Sequence, residues 1–196
     1  MKHLLITGFD PFGGETVNPS SEAVSRLPVS IGDYRLTKLQ IPTVFSRAAR
    51  TVLDAAGEDT PDVILCIGQA GGRDAETPER VAINMASATI ADNAGITPRE
   101  EPILPGGPDG IFSTVPVARM AEAIRDAGLP GKISNTAGTL LCNYTLYRLL
   151  HHLARTGTRV GFIPVPYLPQ QAKDGAPSIT QDAIIAALTA AIGVLG

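Results

Sequence analysis

The stretch Asp62-Val63-Ile64-Leu65-Cys66-Ile67-Gly68 is apolar at every position between its first residue and its glycine. A short run of this kind, apolar on both alternating faces, suits a strand covered on both sides, as in a sheet flanked by helices. Upstream, His3 to Gly8 is a similar run that opens into the loop Phe9-Asp10-Pro11-Phe12-Gly13-Gly14. Asn18 can then cap a helix, with Pro19 in the first turn, where its missing N–H costs nothing. Tyr34 to Ile41 reads as a strand and Val44 to Ala56 as a helix ended by Gly57. Downstream come an extended segment, Glu79 to Ile90, and a Pro/Gly-rich loop from Asn93 to Gly110. A helix from Val117 to Ala127 is stopped by Gly128, and Lys132 to Thr136 reads as a strand. Thr139 to Ala154 is a long helical pattern with Leu146, Leu149, Leu150 and Leu153 on one stripe and Gly157 past its end. Gly161 to Val165 is a last strand, cut short by Pro164 and Pro166. Ser178 and Gln181 have capping-box spacing ahead of a final helix. This alternation of strand and helix is the signature of an α/β fold, and without a repeat or linker the whole chain, 1–196, reads as one domain.

Composition narrows the function classes. The 196 residues are 44% hydrophobic and 18% charged with a net charge of −3, enough to bury a core. The 16 Lys and Arg are dispersed among 19 acids, so no basic stripe invites nucleic acid or an anionic membrane. Three His (His3, His151, His152) and two Cys (Cys66, Cys142), with no C-x-x-C pair, argue against a closed zinc site. The first apolar run is too short for a signal peptide, and the apolar tail from Ile184 to Gly196 falls short of the roughly 20 residues that span a bilayer. With few, distant cysteines, the expectation is a cytoplasmic protein.

Several motifs bear on chemistry. Gly8-x-x-x-x-Gly13 has the spacing of a P-loop, but Gly14 and Glu15 stand where the motif needs Lys and Ser or Thr, so no cation awaits a phosphate. Open α/β sheets bind ligands beyond the carboxyl ends of their strands, which makes Phe9 and Phe12 either pocket walls or simple cover for the sheet end. Cys142, at the start of the longest helix, is either a small buried residue or a nucleophile favoured by the helix dipole. In Gly68-Gln69-Ala70-Gly71-Gly72-Arg73 the glycines allow close backbone approach, and Gln69 offers a donor and an acceptor suited to a neutral amide. Glu79 alone says little. His151 and His152, nine and ten residues along the helix, lie about 14 Å from Cys142 and cannot serve it.

Taken together, the segments Thr7 to Gly14, Gly68 to Arg73, Pro78 to Asn84, and Ala137 to Tyr144 resemble the pyroglutamyl peptidase type I family, also called pyrrolidone-carboxylate peptidases. The resemblance runs nearly the whole chain. It implies a phosphorylase/hydrolase-like α/β/α sandwich with a mixed, largely parallel sheet. It also implies a cytoplasmic cysteine exopeptidase that removes N-terminal pyroglutamyl residues from peptides, uses no metal or cofactor, and assembles as a tetramer. Carried over by motif, Cys142 is the nucleophile and Glu79 the carboxylate of a Cys-His-Glu triad. Phe9 and Phe12 sandwich the lactam ring, Gln69 hydrogen-bonds its amide, and Leu141 lines the pocket.

One position departs from the family's pattern. The catalytic His belongs to a segment of the form Gly-Phe-Ile-His-Val-Pro-Tyr, and this chain reads Gly161-Phe162-Ile163-Pro164-Val165-Pro166-Tyr167. No His lies between Arg159 and Lys173, so a shift of register does not recover one. Two expectations follow: a pyroglutamyl peptidase impaired in its proton transfers, or a homologue that binds pyroglutamyl peptides or a protein partner without turnover.

Overall fold

Apolar runs become strands and amphipathic runs become helices in strict succession. In the computed structural model, which describes residues 1–196, the order is β1 (Lys2–Phe9), α1 (Pro19–Arg26), β2 (Ser30–Ile31), β3 (Tyr34–Ile41), α2 (Ala48–Glu58), β4 (Val63–Gln69), β5 (Val81–Ile83), β6 (Gly110–Phe112), α3 (Val117–Asp126), α4 (Leu141–His152), β7 (Arg159–Val165) and α5 (Gln181–Gly193). The main sheet runs β2-β3-β1-β4-β7. All its neighbours are parallel except the β2–β3 hairpin. β5 and β6 form a separate antiparallel pair.

Helices cover both faces, giving three layers. In β4, Val63, Leu65 and Ile67 join the core under α1, α3 and α5, while Ile64 and Cys66 join the core under α2 and α4. The continuous apolar reading of this stretch is thereby explained: every side chain meets a helix layer. No helix is long and apolar enough to cross a membrane.

Local chemistry sets the boundaries. Asn18 caps α1, its Oδ1 accepting from Ser20 N at 3.0 Å, with Pro19 as the first helical residue. α2 begins at Ala48 rather than Val44: Val44 to Arg47 form a turn, with Arg47 N and Ala48 N both donating to Val44 O at 3.0 and 2.9 Å, and Phe45 N donates to Asp92 Oδ2 at 2.8 Å. The cap of α5 is Thr180, whose hydroxyl accepts from Ala183 N, while Ser178 is drawn into a bridge with Tyr167. Lys132–Thr136 does not form a strand: it makes one isolated bridge, between Ser134 and Glu79.

β7 is an edge strand that passes straight through Pro164. Phe162 and Pro164 turn their carbonyls away from β4, where they accept from Glu79 N at 2.9 Å and Thr77 N at 3.1 Å, whereas Val165 O accepts from Ala70 N on the β4 side. Backbone N–H and C=O of one strand residue point the same way, so the N–H that proline lacks is not one the β4 ladder uses.

Candidate active site

The parallel strands β1, β3 and β4 deliver their C-terminal ends to one edge of the sheet, where the start of α4 meets them. A small pocket of about 90 Å³ opens there, lined by Phe9, Phe12, Asn18, Thr43, Gln69, Leu140, Leu141 and Cys142. The expected residues Phe9, Phe12, Gln69, Leu141 and Cys142 therefore converge on one cavity. Asp10 holds the loop that carries the two phenylalanines: its Oδ1 accepts from Thr43 N at 2.6 Å, and its carbonyl accepts from Asn18 Nδ2 and Thr43 Oγ1. Phe9 is buried and tilted against Phe162, 6.2 Å between ring centroids.

Sequence reasoning missed Thr43 and Leu140 as lining residues and saw Asn18 only as a helix cap. The position of Thr43, just past the end of a parallel strand, was the available signal. Both polar newcomers are already committed, Asn18 to its cap and to Asp10, and Thr43 to Asp10. Gln69 differs in that its Nε2 donates to no protein acceptor, whereas Asn18 Nδ2 and Thr43 Oγ1 each already donate to Asp10 O.

Cys142 is the second residue of α4. The N–H groups of Leu141, Cys142 and Asn143 have no intrahelical acceptor, and the first turn carries no acid. The helix N-terminus favours an anion there, yet burial, reinforced by the negative charge of Glu79, pushes the thiol up to about 12, with Arg73 pulling the other way. Gly68 makes room for the sulfur: a Cβ there would lie 3.0 Å from Cys142 Sγ and 2.7 Å from the Phe162 ring. Buried Asn143 ties this helix start to the neighbouring segment, accepting from Ile83 N at 2.9 Å and donating to the carbonyls of Ile83 and Met85 at 2.9 and 3.0 Å.

Glu79 is fully buried beside β7. Its Oε1 accepts from Arg73 Nη1 at 2.9 Å, and Arg73 also reaches the Thr77 hydroxyl and, at 3.1 Å, Thr136 O. Burial raises the Glu79 carboxyl above its ordinary range, against the hydroxyl of Ser134 and the charge of Arg73. The second oxygen, Oε2, has no hydrogen-bond partner. Buried carboxylate oxygens are normally paired, and Oε2 is free to accept a further donor.

Pro164 lies in β7, beside the segment that carries Glu79. It is the register partner of Gly68 across the β4–β7 ladder, a spacing of about 4.8 Å. Strand alternation puts its ring on the face of Phe162, in the layer of α4 and Cys142, while Ile163 and Val165 point into the opposite core. No imidazole substitutes for it. His3 bonds Thr37 and faces Asp59 at the far end of β1, and His151 stacks on Tyr147 near the end of α4.

Comparison with known proteins places this geometry among relatives. The family model described as pyroglutamyl peptidase matches residues 2–196. The chain is 50% identical over 193 residues to the pyrrolidone-carboxylate peptidase of Levilactobacillus brevis, covering 96% of this chain and 95% of that one. With the corresponding protein of Bacillus subtilis it shares 49% over 191 residues, covering 95% and 89%. The crystal structure of Bacillus amyloliquefaciens pyroglutamyl peptidase I superposes with a TM-score of 0.96 at 44% identity, covering 100% and 97% of the two chains. Pyrrolidone carboxyl peptidase from Thermococcus litoralis gives 0.94 at 35% identity, covering 100% and 93%.

Proposed function

The chain belongs to the pyroglutamyl peptidase family, and from this premise we propose that it takes up the N-terminal pyroglutamyl residue of a peptide and releases it through a thioester on Cys142. The observation that carries the reading is the pocket: two phenylalanines, an amide donor with capacity to spare, a thiol at the rim, and no charged lining residue. Pyroglutamate has no free amine, so its pocket needs flat apolar walls and an amide-reading group rather than a carboxylate. Cys142 Sγ attacks the pyroglutamyl carbonyl carbon, and the unpaired N–H groups at the start of α4 receive the oxyanion. The peptide amine leaves with a proton, and water then cleaves the thioester to free pyroglutamate and the thiol.

Within this scheme Glu79 is the carboxylate of the triad, and its unpaired Oε2 is the acceptor that an imidazole N–H at position 164 would fill. Pro164 supplies no such group. General acid–base catalysis by a positioned side chain contributes about 10²–10⁴-fold, so turnover here is slow by a comparable factor. A second reading is that pyroglutamyl peptides are held in this pocket without cleavage, since Pro164 has no group that can carry a proton.

Purified protein incubated with a fluorogenic pyroglutamyl amide, beside Cys142→Ala, separates the two. Slow release of the fluorophore that vanishes in Cys142→Ala supports the peptidase. Saturable binding without release supports the binding protein. Neither binding nor release overturns both.

A further inference from the structure

Gln171, 5% exposed, lies beyond β7 and outside the pocket lining, yet its carboxamide is anchored at both ends by backbone groups of unambiguous polarity. Its Oε1 accepts from Leu168 N at 3.1 Å, and its Nε2 donates to Val17 O at 3.3 Å. The N–H of Leu168 can only donate and the carbonyl of Val17 can only accept, so the orientation of this amide is fixed. The remaining hydrogen of Gln171 Nε2 goes to Gln69 Oε1 at 3.2 Å. With its oxygen held from behind, Gln69 presents its NH₂ group to the cavity it shares with Phe9, Phe12 and Cys142.

We propose that Gln171 is a positioning residue that sets the polarity of Gln69, making the pocket select a ring carbonyl, an acceptor, in the terminal residue of its ligand. The inference rests on the pyroglutamyl reading above and sharpens it. A five-membered ring of the same shape without the carbonyl leaves the Gln69 NH₂ facing apolar atoms, a loss that costs about tenfold or more in affinity.

The test is calorimetric titration of the non-cleaving Cys142→Ala protein with 3-oxocyclopentanecarbonyl-alanine amide, which keeps the ring carbonyl but has no ring N–H, and with cyclopentanecarbonyl-alanine amide, at pH 8 and pH 4. With Gln171 in place, the ring with the carbonyl is preferred about tenfold or more at both pH values. Gln171→Glu keeps an acceptor for Leu168 N but at pH 8 turns a second oxygen toward Gln69, which must flip. The preference then disappears, and it returns at pH 4, where the protonated carboxyl again donates to Gln69. Gln171→Leu, which cannot donate at any pH, loses the preference at both and decides the matter if the glutamate variant fails to fold. A preference that survives in the variants, or equal weakening of both ligands, overturns the assignment of Gln171 and leaves the pocket reading standing. No preference in the protein that retains Gln171 overturns the two together.

Discussion

Replacing Pro164 by His should convert this protein into a fast pyroglutamyl peptidase. With the thiol at about 12, the thiolate fraction at pH 8 is about one in 10⁴, against about one in ten for an unperturbed cysteine whose pKa is 9.0. The deficit is about 10³-fold, or about 4 kcal/mol at about 1.4 kcal/mol per pH unit. An imidazole titrating near neutrality, one ladder rung from Gly68 and on the face of Cys142, would take the thiol proton. Its other nitrogen would donate to Glu79 Oε2, which has no partner now. The exchange costs the sheet nothing, because position 164 directs its backbone away from β4. The expected gain in kcat/KM on a fluorogenic pyroglutamyl amide is about 10²–10⁴-fold, abolished by adding Cys142→Ala. A folded Pro164→His protein that gains less than tenfold refutes this account of the impairment.

Other consequences are open to direct measurement. Alkylation of Cys142 by iodoacetamide should accelerate about tenfold per pH unit from pH 7 to 10 without levelling off, since the thiol sits at about 12; a plateau below pH 9 contradicts this. Cys66, fully buried and also pushed up to about 12 by burial, should stay unlabelled in the native protein. Glu76 is fully buried with neither carboxyl oxygen bonded, and burial lifts it from 4.5 to about 7. The folded state therefore holds a proton that the unfolded chain releases, and this contribution to stability, present below pH 4.5, is lost as pH rises toward 7. The loss totals about 3 kcal/mol. Glu76→Leu should flatten that part of the urea-stability profile and raise stability at pH 8, and an unchanged profile rejects the reading. Asn143→Ala, which strands Ile83 N and Met85 O while Ile83 O keeps its bond from Met85 N, should cost about 3 kcal/mol in urea denaturation; a loss under 1 kcal/mol would show that water replaces the amide.

The layers of the fold were legible because burial on two faces leaves a plain mark: β4 is apolar from Val63 to Ile67 and β1 from Leu4 to Ile6, and β3 matches its expected span, Tyr34 to Ile41. Asn18 and Pro19 announced α1 because capping is chemistry within a few residues. The irregular segments were not legible. Lys132 to Thr136 has a strand's composition, but its backbone bonds go to Glu76 O, Pro78 O and Arg80 N, in a segment more than 50 residues away, and form a single isolated bridge rather than a ladder. The proline in β7 suggested an ending, and only the edge position of that strand shows why it is none. At the site, Phe9, Phe12, Gln69 and Cys142 were found through motifs, whereas Thr43 and Gln171 act through partners distant in sequence.

The pocket draws one wall from the loop after β1, another from Thr43 after β3, a third from the end of β4 and the last from the head of α4, and it is braced from beyond β7. No contiguous fragment of the chain contains it. A ligand seated there has nothing to bind in a partly folded molecule, so its full binding energy is added to global unfolding: about 2.7 kcal/mol at a hundred times its dissociation constant. Occupancy of the pocket thus couples the loop after β1, the segment after β3, the end of β4 and the head of α4 in stability, and a ligand bound there would be read out as a rise in the stability of the whole fold.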